Sequence, residues 1–302
     1  MSPSERAGRE DKKPTMGVYL RPERLDQALD ALSAQPLTIL AGGTDFYPGR
    51  VGRPLDDDVL DITALGALRG IEDRGDHWRI GALATWSDLV RADTPPAFDG
   101  LKDAAREIGG LQIQNTGTLA GNLCNASPAG DGAPVLLALD ANVALASAMG
   151  KRALPVADFI SGNRKTALEP GELVVGITVP KPAPGAAGNF LKLGARKYLV
   201  ISIAMVAIVI EPEEAPAGAV VGNARVAVGA CAPVSKRLGL LEDALAGQKL
   251  DQALGEIATE SHLRGELSPI DDIPGSADYR WSAALTLLQR GLSALGEKLG
   301  SA

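Results

Sequence analysis

A chain of 302 residues, 45% hydrophobic, is long enough to bury a substantial core and sits where one domain commonly gives way to two. A formal charge of −7 without any Lys/Arg run argues against a nucleic-acid-binding face, which needs concentrated positive charge. Two cysteines, Cys124 and Cys231, neither in a CxxC pair, argue against a disulfide scaffold and against an internally held zinc or iron–sulfur centre.

The opening MSPSERAGREDKK is polar and has no apolar core, so residues 1–15 read as a flexible tail and not as a secretion signal. Pro22 followed by ERLDQALDALSA predicts a short amphipathic helix carrying Leu25, Leu29 and Leu32, and LTIL after it a buried strand. Residues 59–62 and 77–82 read as strands, with a short helical turn at 65–68 between them. Segments 86–90 and 101–109 alternate with a glycine-rich stretch at 117–125, which this pattern places in a loop. Beyond it, APVLLALDA reads as a helix with Pro134 near its first turn, NVALASA and MGKRALPV as a hairpin, and 172–179 as one more strand. KPAPGAAG at 181–188 has the composition of a linker.

After the linker, 190–193 and the apolar run 199–210 are strand-like; at 12 residues the run is too short to span a bilayer. Residues 224–229 give another strand, and 235–246, 250–258 and 277–295 read as helices, the last broken or bent near Gly291. The expected fold class is therefore α+β: a first domain over 16–180 without a regular parallel βαβ repeat, then a smaller antiparallel-sheet domain with helices to one side over 189–302.

Two small-residue turns carry the chemistry, one in LTILAGGTDFY at 37–47 and one in GTLAGNLCN at 117–125. Glycine reaches φ > 0 without Cβ strain and adds no bulk between backbone N–H groups and an anion, so both turns suit a phosphate. Neither has the GxGxxG spacing of the common dinucleotide fold, and no phosphate loop ending in GK[ST] is present. Composition leaves two readings open: a dinucleotide held by two separated loops, or Gly42, Gly43, Gly117 and Gly121 serving tight turns in a β-rich domain.

AGGTDFYP, QIQNTGTLAGNLCNASPAGDGAPVLLALDANVAL and FLKLGARKYLVISIAM resemble the signature segments of the FAD-binding (medium) subunit of the molybdenum hydroxylases, the family of xanthine dehydrogenase and aerobic carbon monoxide dehydrogenase. The likeness runs from Tyr19-Leu20-Arg21-Pro22 to Asp278-Tyr279-Arg280. It implies a vanillyl-alcohol-oxidase-type FAD domain of two α/β subdomains followed by a smaller α+β domain. Matched motif by motif, it puts the first pyrophosphate loop on Leu40, Ala41, Gly42, Gly43, Thr44 and Asp45, and the second on Thr118, Gly121 and Asn122. It also puts Ser127 and Asp131 in the element beyond, with Asp131 toward the ribose or adenine, and Lys192 where the C-terminal domain reaches the flavin. Backbone N–H groups and the Thr44 and Thr118 hydroxyls can donate to phosphate, whereas the Asp45 carboxylate cannot, so its expected work is to brace the loop or approach a sugar hydroxyl. Two departures from the family pattern are Gln114, where a cation is usual, and Ala120, where glycine is usual; the alanine implies a turn that does not need φ > 0 there.

The resemblance implies non-covalent FAD and an electron relay. A large molybdopterin subunit hydroxylates the substrate, a small subunit with two [2Fe–2S] clusters carries electrons, and this chain passes them to NAD, a quinone or oxygen, in a dimer of heterotrimers. No metal and no catalytic acid–base pair are expected in this chain. His77, Trp78 and His262 read as structural residues, Cys124 as a packed thiol or a flavin neighbour, and Tyr47 as a candidate beside the flavin ring. Two alternatives are a self-contained FAD oxidoreductase and a cofactor-free scaffold subunit. The expected location is the cytoplasm, or the periplasm on a partner's export signal.

Overall fold

The computed structural model describes residues 17–52, 56–196, 200–216, 218–269 and 275–301. The expected tail at 1–15 and part of the FLKLGARKYL segment, 197–199, lie outside the described residues. Three short parallel strands, β1 (Tyr19–Leu20), β2 (Thr38–Leu40) and β3 (Val59–Asp61), form a sheet in the order β1-β3-β2. Helix α1 (Leu25–Ala34) connects the first two and buries Ala28, Leu29 and Leu32, the stripe that its helical spacing predicts.

A second sheet is antiparallel throughout and takes β4 (Ile71–Asp73), β5 (His77–Gly81), β6 (Asn142–Ser147), β7 (Gly150–Pro155) and β10 (Leu173–Pro180) in the order β4-β5-β10-β6-β7. Between β5 and β6 the chain winds through α2 (Trp86–Arg91), α3 (Asp99–Glu107), α4 (Leu111–Thr116), α5 (Leu119–Asn125) and α6 (Gly132–Ala138). Thr85 caps α2 in a reciprocal box with Asp88, which satisfies two backbone donors at once. After β7 come the one-turn α7 (Val156–Phe159) and a small hairpin of β8 (Ile160–Gly162) and β9 (Lys165–Thr166).

The third sheet, β11 (Ala187–Gly194), β12 (Ser202–Ala215), β13 (Gly218–Gly229) and β14 (Lys236–Arg237), is antiparallel in chain order. Helices α8 (Gly239–Leu245), α9 (Glu260–Leu263) and the long α10 (Ala277–Gly300) follow it. Both faces of this sheet are covered. Met205, Ala207 and Val209 of β12 join the core of the first half, while Ala204, Val206, Ile208 and Ile210 join a second core built with α8 and α10. This explains the apolar run from Ile203 to Ile210: a strand buried on both faces loses the polar alternation of a one-sided strand.

Three expectations in this half need correction. Lys236–Arg237 pairs as β14 and the helix starts only at Gly239, because the strand edge offers ladder bonds to Ala227 and Val228. Gln252–Ile257 forms a 3₁₀ helix rather than an α-helix. Of the break or bend expected at Gly291 the break is absent, helix α10 running on to Gly300. An added Cβ at Gly291 would lie 2.8 Å from Ile208 Cδ1, so the glycine lets the helix lie close on β12, and its carbonyl accepts from Asn189 Nδ2 at 2.8 Å.

Candidate functional site

The first glycine-rich turn leaves the end of β2, and the second opens α5. The two interlock backbone to backbone. An added Cβ at Gly42 would fall 1.9 Å from the Thr116 carbonyl oxygen, and one at Gly117 would lie 2.9 Å from the Ile113 oxygen and 3.5 Å from Thr44 Oγ1. Gly43 sits at φ +71, a left-handed conformation that strains any residue with a Cβ. The 117–125 stretch is not the loop expected from its composition: Thr118 is the N-cap of α5, its Oγ1 accepting from Gly121 N at 2.9 Å, which leaves the hydroxyl proton free to donate. Ala120 lies inside α5, so no glycine is required there.

Between the turns is a cleft of about 480 Å³, within the roughly 300–1,000 Å³ of small-molecule sites. Ala41, Gly42, Gly43, Thr44 and Asp45 line one wall and Thr118, Gly121 and Asn122 another, while Ile39, Ile108, Ile113, Leu168 and Val174 supply apolar surface. A second hollow of about 610 Å³ shares Ile39 and Glu172 with it. Among the described residues, no acceptor takes the backbone N–H groups of Gly42, Gly43, Thr44, Asp45 and Phe46. Successive unpaired N–H groups in a concave turn are an anion cradle, and Cβ atoms at 42 and 43 would disturb it. These residues fit the phosphates of a dinucleotide.

Four of the residues named from the motifs do not line the cleft. Leu40 is buried with Phe46 and Val59 beneath the turn, and Ser127 accepts from Ala129 N at 3.3 Å. Asp131 and Lys192 are given to each other, with Lys192 Nζ 2.7 Å from Asp131 Oδ2 and the pair almost wholly buried. Ser202 Oγ donates to Asp131 Oδ1 at 2.6 Å, and Lys192 also donates to the Glu107 carbonyl at the end of α3. Burial pushes the Asp131 carboxyl up, against the pull of Lys192 and Ser202. Since Asp131 precedes α6 while Lys192 and Ser202 belong to the third sheet, this cluster ties the two halves together behind the cleft.

Gln114 likewise turns inward, donating to the Arg106 and Ile108 carbonyls at 3.2 and 3.0 Å and closing the end of α3. Cys124 opens to the cleft yet is ringed by protein on its other sides, and this desolvation pushes its thiol up to about 12. Tyr47 is exposed at the rim, edge-on to Phe46. His77 pairs with Asp76 at 2.7 Å, Trp78 is in the core, and His262 Nδ1 accepts from Thr259 N, which caps α9. Among the described residues no group of three His, Cys, Asp or Glu could hold a metal ion, and no helix is long and apolar enough to cross a membrane.

Sequence reasoning missed three charged residues at the cleft. Arg50 lies over the Phe46 ring at 3.8 Å and donates to the Phe46 carbonyl at 3.0 Å. Glu172 lines the wall, held by Arg152 at 2.6 Å, and that bond lowers its carboxyl below the usual glutamate range. Arg164, at the tip of the β8–β9 hairpin, reaches both turns. The Gly-Asn-Arg run at 162–164 between two short polar-flanked segments was a usable hairpin signal.

Residues 12–182 match the FAD binding domain in molybdopterin dehydrogenase, and residues 189–295 match the CO dehydrogenase flavoprotein C-terminal domain. The chain is 31% identical to the nicotine 6-hydroxylase medium subunit of Paenarthrobacter nicotinovorans, over 93% of this chain and 97% of the relative. Among solved structures it is similar to a chain of carbon monoxide dehydrogenase from Hydrogenophaga pseudoflava, with a TM-score of 0.79 and 28% identity over 94% of this chain and 98% of that one. A chain of quinoline 2-oxidoreductase from Pseudomonas putida 86 gives a TM-score of 0.82 and 26% identity, covering 94% of this chain and 98% of the other.

Proposed function

Because the chain belongs to the FAD-binding medium subunits of the molybdenum hydroxylases, we propose that its cleft holds one non-covalent FAD and that the subunit relays electrons from a [2Fe–2S] partner to an external acceptor. The run of five N–H groups from Gly42 to Phe46 with no acceptor among the described residues, on residues that line a cleft with apolar walls, is the observation that carries this reading. Ala41 to Thr44 and the backbone N–H of Asp45, with Thr118, Gly121 and Asn122, are assigned to the pyrophosphate, the Asp45 carboxylate to bracing the turn, and the apolar walls to the ring systems. Leu40, packed with Phe46 and Val59, Ser127 and the Asp131–Lys192 pair are assigned a structural role. When bound, FAD supplies a centre that takes electrons singly and delivers them in pairs. The protein's share is to bind, orient and shield it. No histidine lies in either turn, and a Cys124 thiol titrating at about 12 is a weak nucleophile, so no covalent tether is expected.

Heat denaturation of the purified chain should release intact FAD, about one per chain; release of FMN alone, or flavin retained on the polypeptide, would contradict the assignment. Purification from the native host should bring down an iron–sulfur subunit and a large molybdenum subunit, in a dimer of heterotrimers. An active, metal-free single protein would instead favour a self-contained oxidase. The acceptor is NAD, a quinone or oxygen. Rapid reoxidation of the reduced protein by NAD would support a cytoplasmic dehydrogenase, and failure with NAD alongside rapid transfer to another acceptor would remove that support.

A further inference from the structure

Arg164 bridges two residues of the cleft lining, Asn125 and Asp45. Its backbone N–H donates to the Ala126 carbonyl at 2.9 Å, just past α5, and its guanidinium Nη1 bonds to Asn125 Oδ1 and lies 3.7 Å from Asp45 Oδ2. Asp45 and Asn125 both line the cleft, one on each turn. Arg164 holds φ +58, an uncommon conformation for a residue with a long side chain, and hairpin pairing together with the Ala126 bond keeps it there. The side chains of Arg164 and Asp45 are 59% and 66% exposed, and ion pairs as open as this contribute little to folding. Asp45 also poses an electrostatic problem: it places a carboxylate at the rim of a turn whose N–H groups suit an anion.

We propose that Arg164 is a strap beside the cofactor cleft, held on Asn125 and neutralising Asp45 beside a bound pyrophosphate, so that it governs how fast the cofactor leaves. This rests on the FAD reading above. The strap acts without touching the ring system, and its loss alters retention rather than fold.

Flavin release from the holoprotein, followed by the rise in free FAD fluorescence after dilution, tests it with Arg164→Gln, Arg164→Lys, Asp45→Asn and the Arg164→Gln/Asp45→Asn double variant. Release should be about tenfold faster from Arg164→Gln, with an unchanged melting temperature for the apoprotein, and slower from Arg164→Lys than from Arg164→Gln. Asp45→Asn should not speed release by itself, and in the double variant it should recover most of the loss. Wild-type release from Arg164→Gln would overturn the strap, and so would a double variant as fast as or faster than Arg164→Gln. A wild-type protein that holds no FAD would instead overturn the cofactor reading itself.

Discussion

The first turn and the Asp131–Lys192–Ser202 cluster come from the same set of family motifs, yet their hydrogen bonding is opposite. At the turn, five backbone donors have no protein partner among the described residues; in the cluster both Asp131 oxygens and the Lys192 ammonium are taken by protein. An unpaired donor beside a cleft is available to a ligand, whereas a paired buried ion contributes to the join between two halves of the molecule. A shared motif therefore distributes its residues between holding the cofactor and holding the protein.

Damage on the two sides should separate in kind as well as size. The largest loss of stability is expected from Lys192→Met, which strands the Asp131 carboxylate in the interior at a cost of about 3–5 kcal/mol. The Asp131 carboxyl is already raised, so its protonated form favours the folded state; the deficit should be greatest near neutral pH and shrink as the pH falls through the raised value. Urea unfolding at several pH values measures this, and a deficit that stays constant with pH would remove the buried-ion explanation.

On the cradle side, Gly42→Val and Gly43→Val give a sharper contrast. A Cβ at Gly42 meets backbone 1.9 Å away and should cost about 3 kcal/mol. At Gly43 the nearest atom is a Tyr47 ring carbon at 2.6 Å, at the exposed rim, so the ring can yield and the remaining cost is that of the left-handed backbone, about 1–2 kcal/mol. Gly43→Val should therefore keep its far-UV circular dichroism while losing flavin occupancy, and unchanged occupancy would mean that the turn has been misassigned.

The smallest effect is expected from Glu172→Gln on the cleft wall, where the bond to Arg152 is partly exposed and worth at most about 1 kcal/mol. Because that bond lowers the Glu172 carboxyl, its contribution is present above the ordinary glutamate pKa and lost as pH falls through the lowered one. Wild type and variant should then converge in acid, and thermal melts at pH 7 and pH 3 would show whether they do.

Local pattern made much of the fold legible. The leucine spacing of α1, the β6–β7 hairpin and the apolar run of β12 are all written in short windows of sequence. Misreadings fell where a distant contact decides. Gly291 resembles a helix breaker until β12 packs against it, and Lys236–Arg237 continues a helical pattern until β13 offers its edge. At the candidate site, the two turns could be found from glycine content alone, but Arg164 lies 119 positions after Asp45 and belongs to neither motif.

The sequence by itself determined the segments: their periodicity, their glycines and the order of motifs that places the chain in its family. Only the tertiary structure decided which groups were already satisfied. Gly42 lies against the Thr116 carbonyl, Asp131 is matched by Lys192, and the N–H groups from Gly42 to Phe46 meet no acceptor among the described residues. Composition sets what a residue can bond to, but which partner it meets depends on how sheets and helices distant in the chain come together in space.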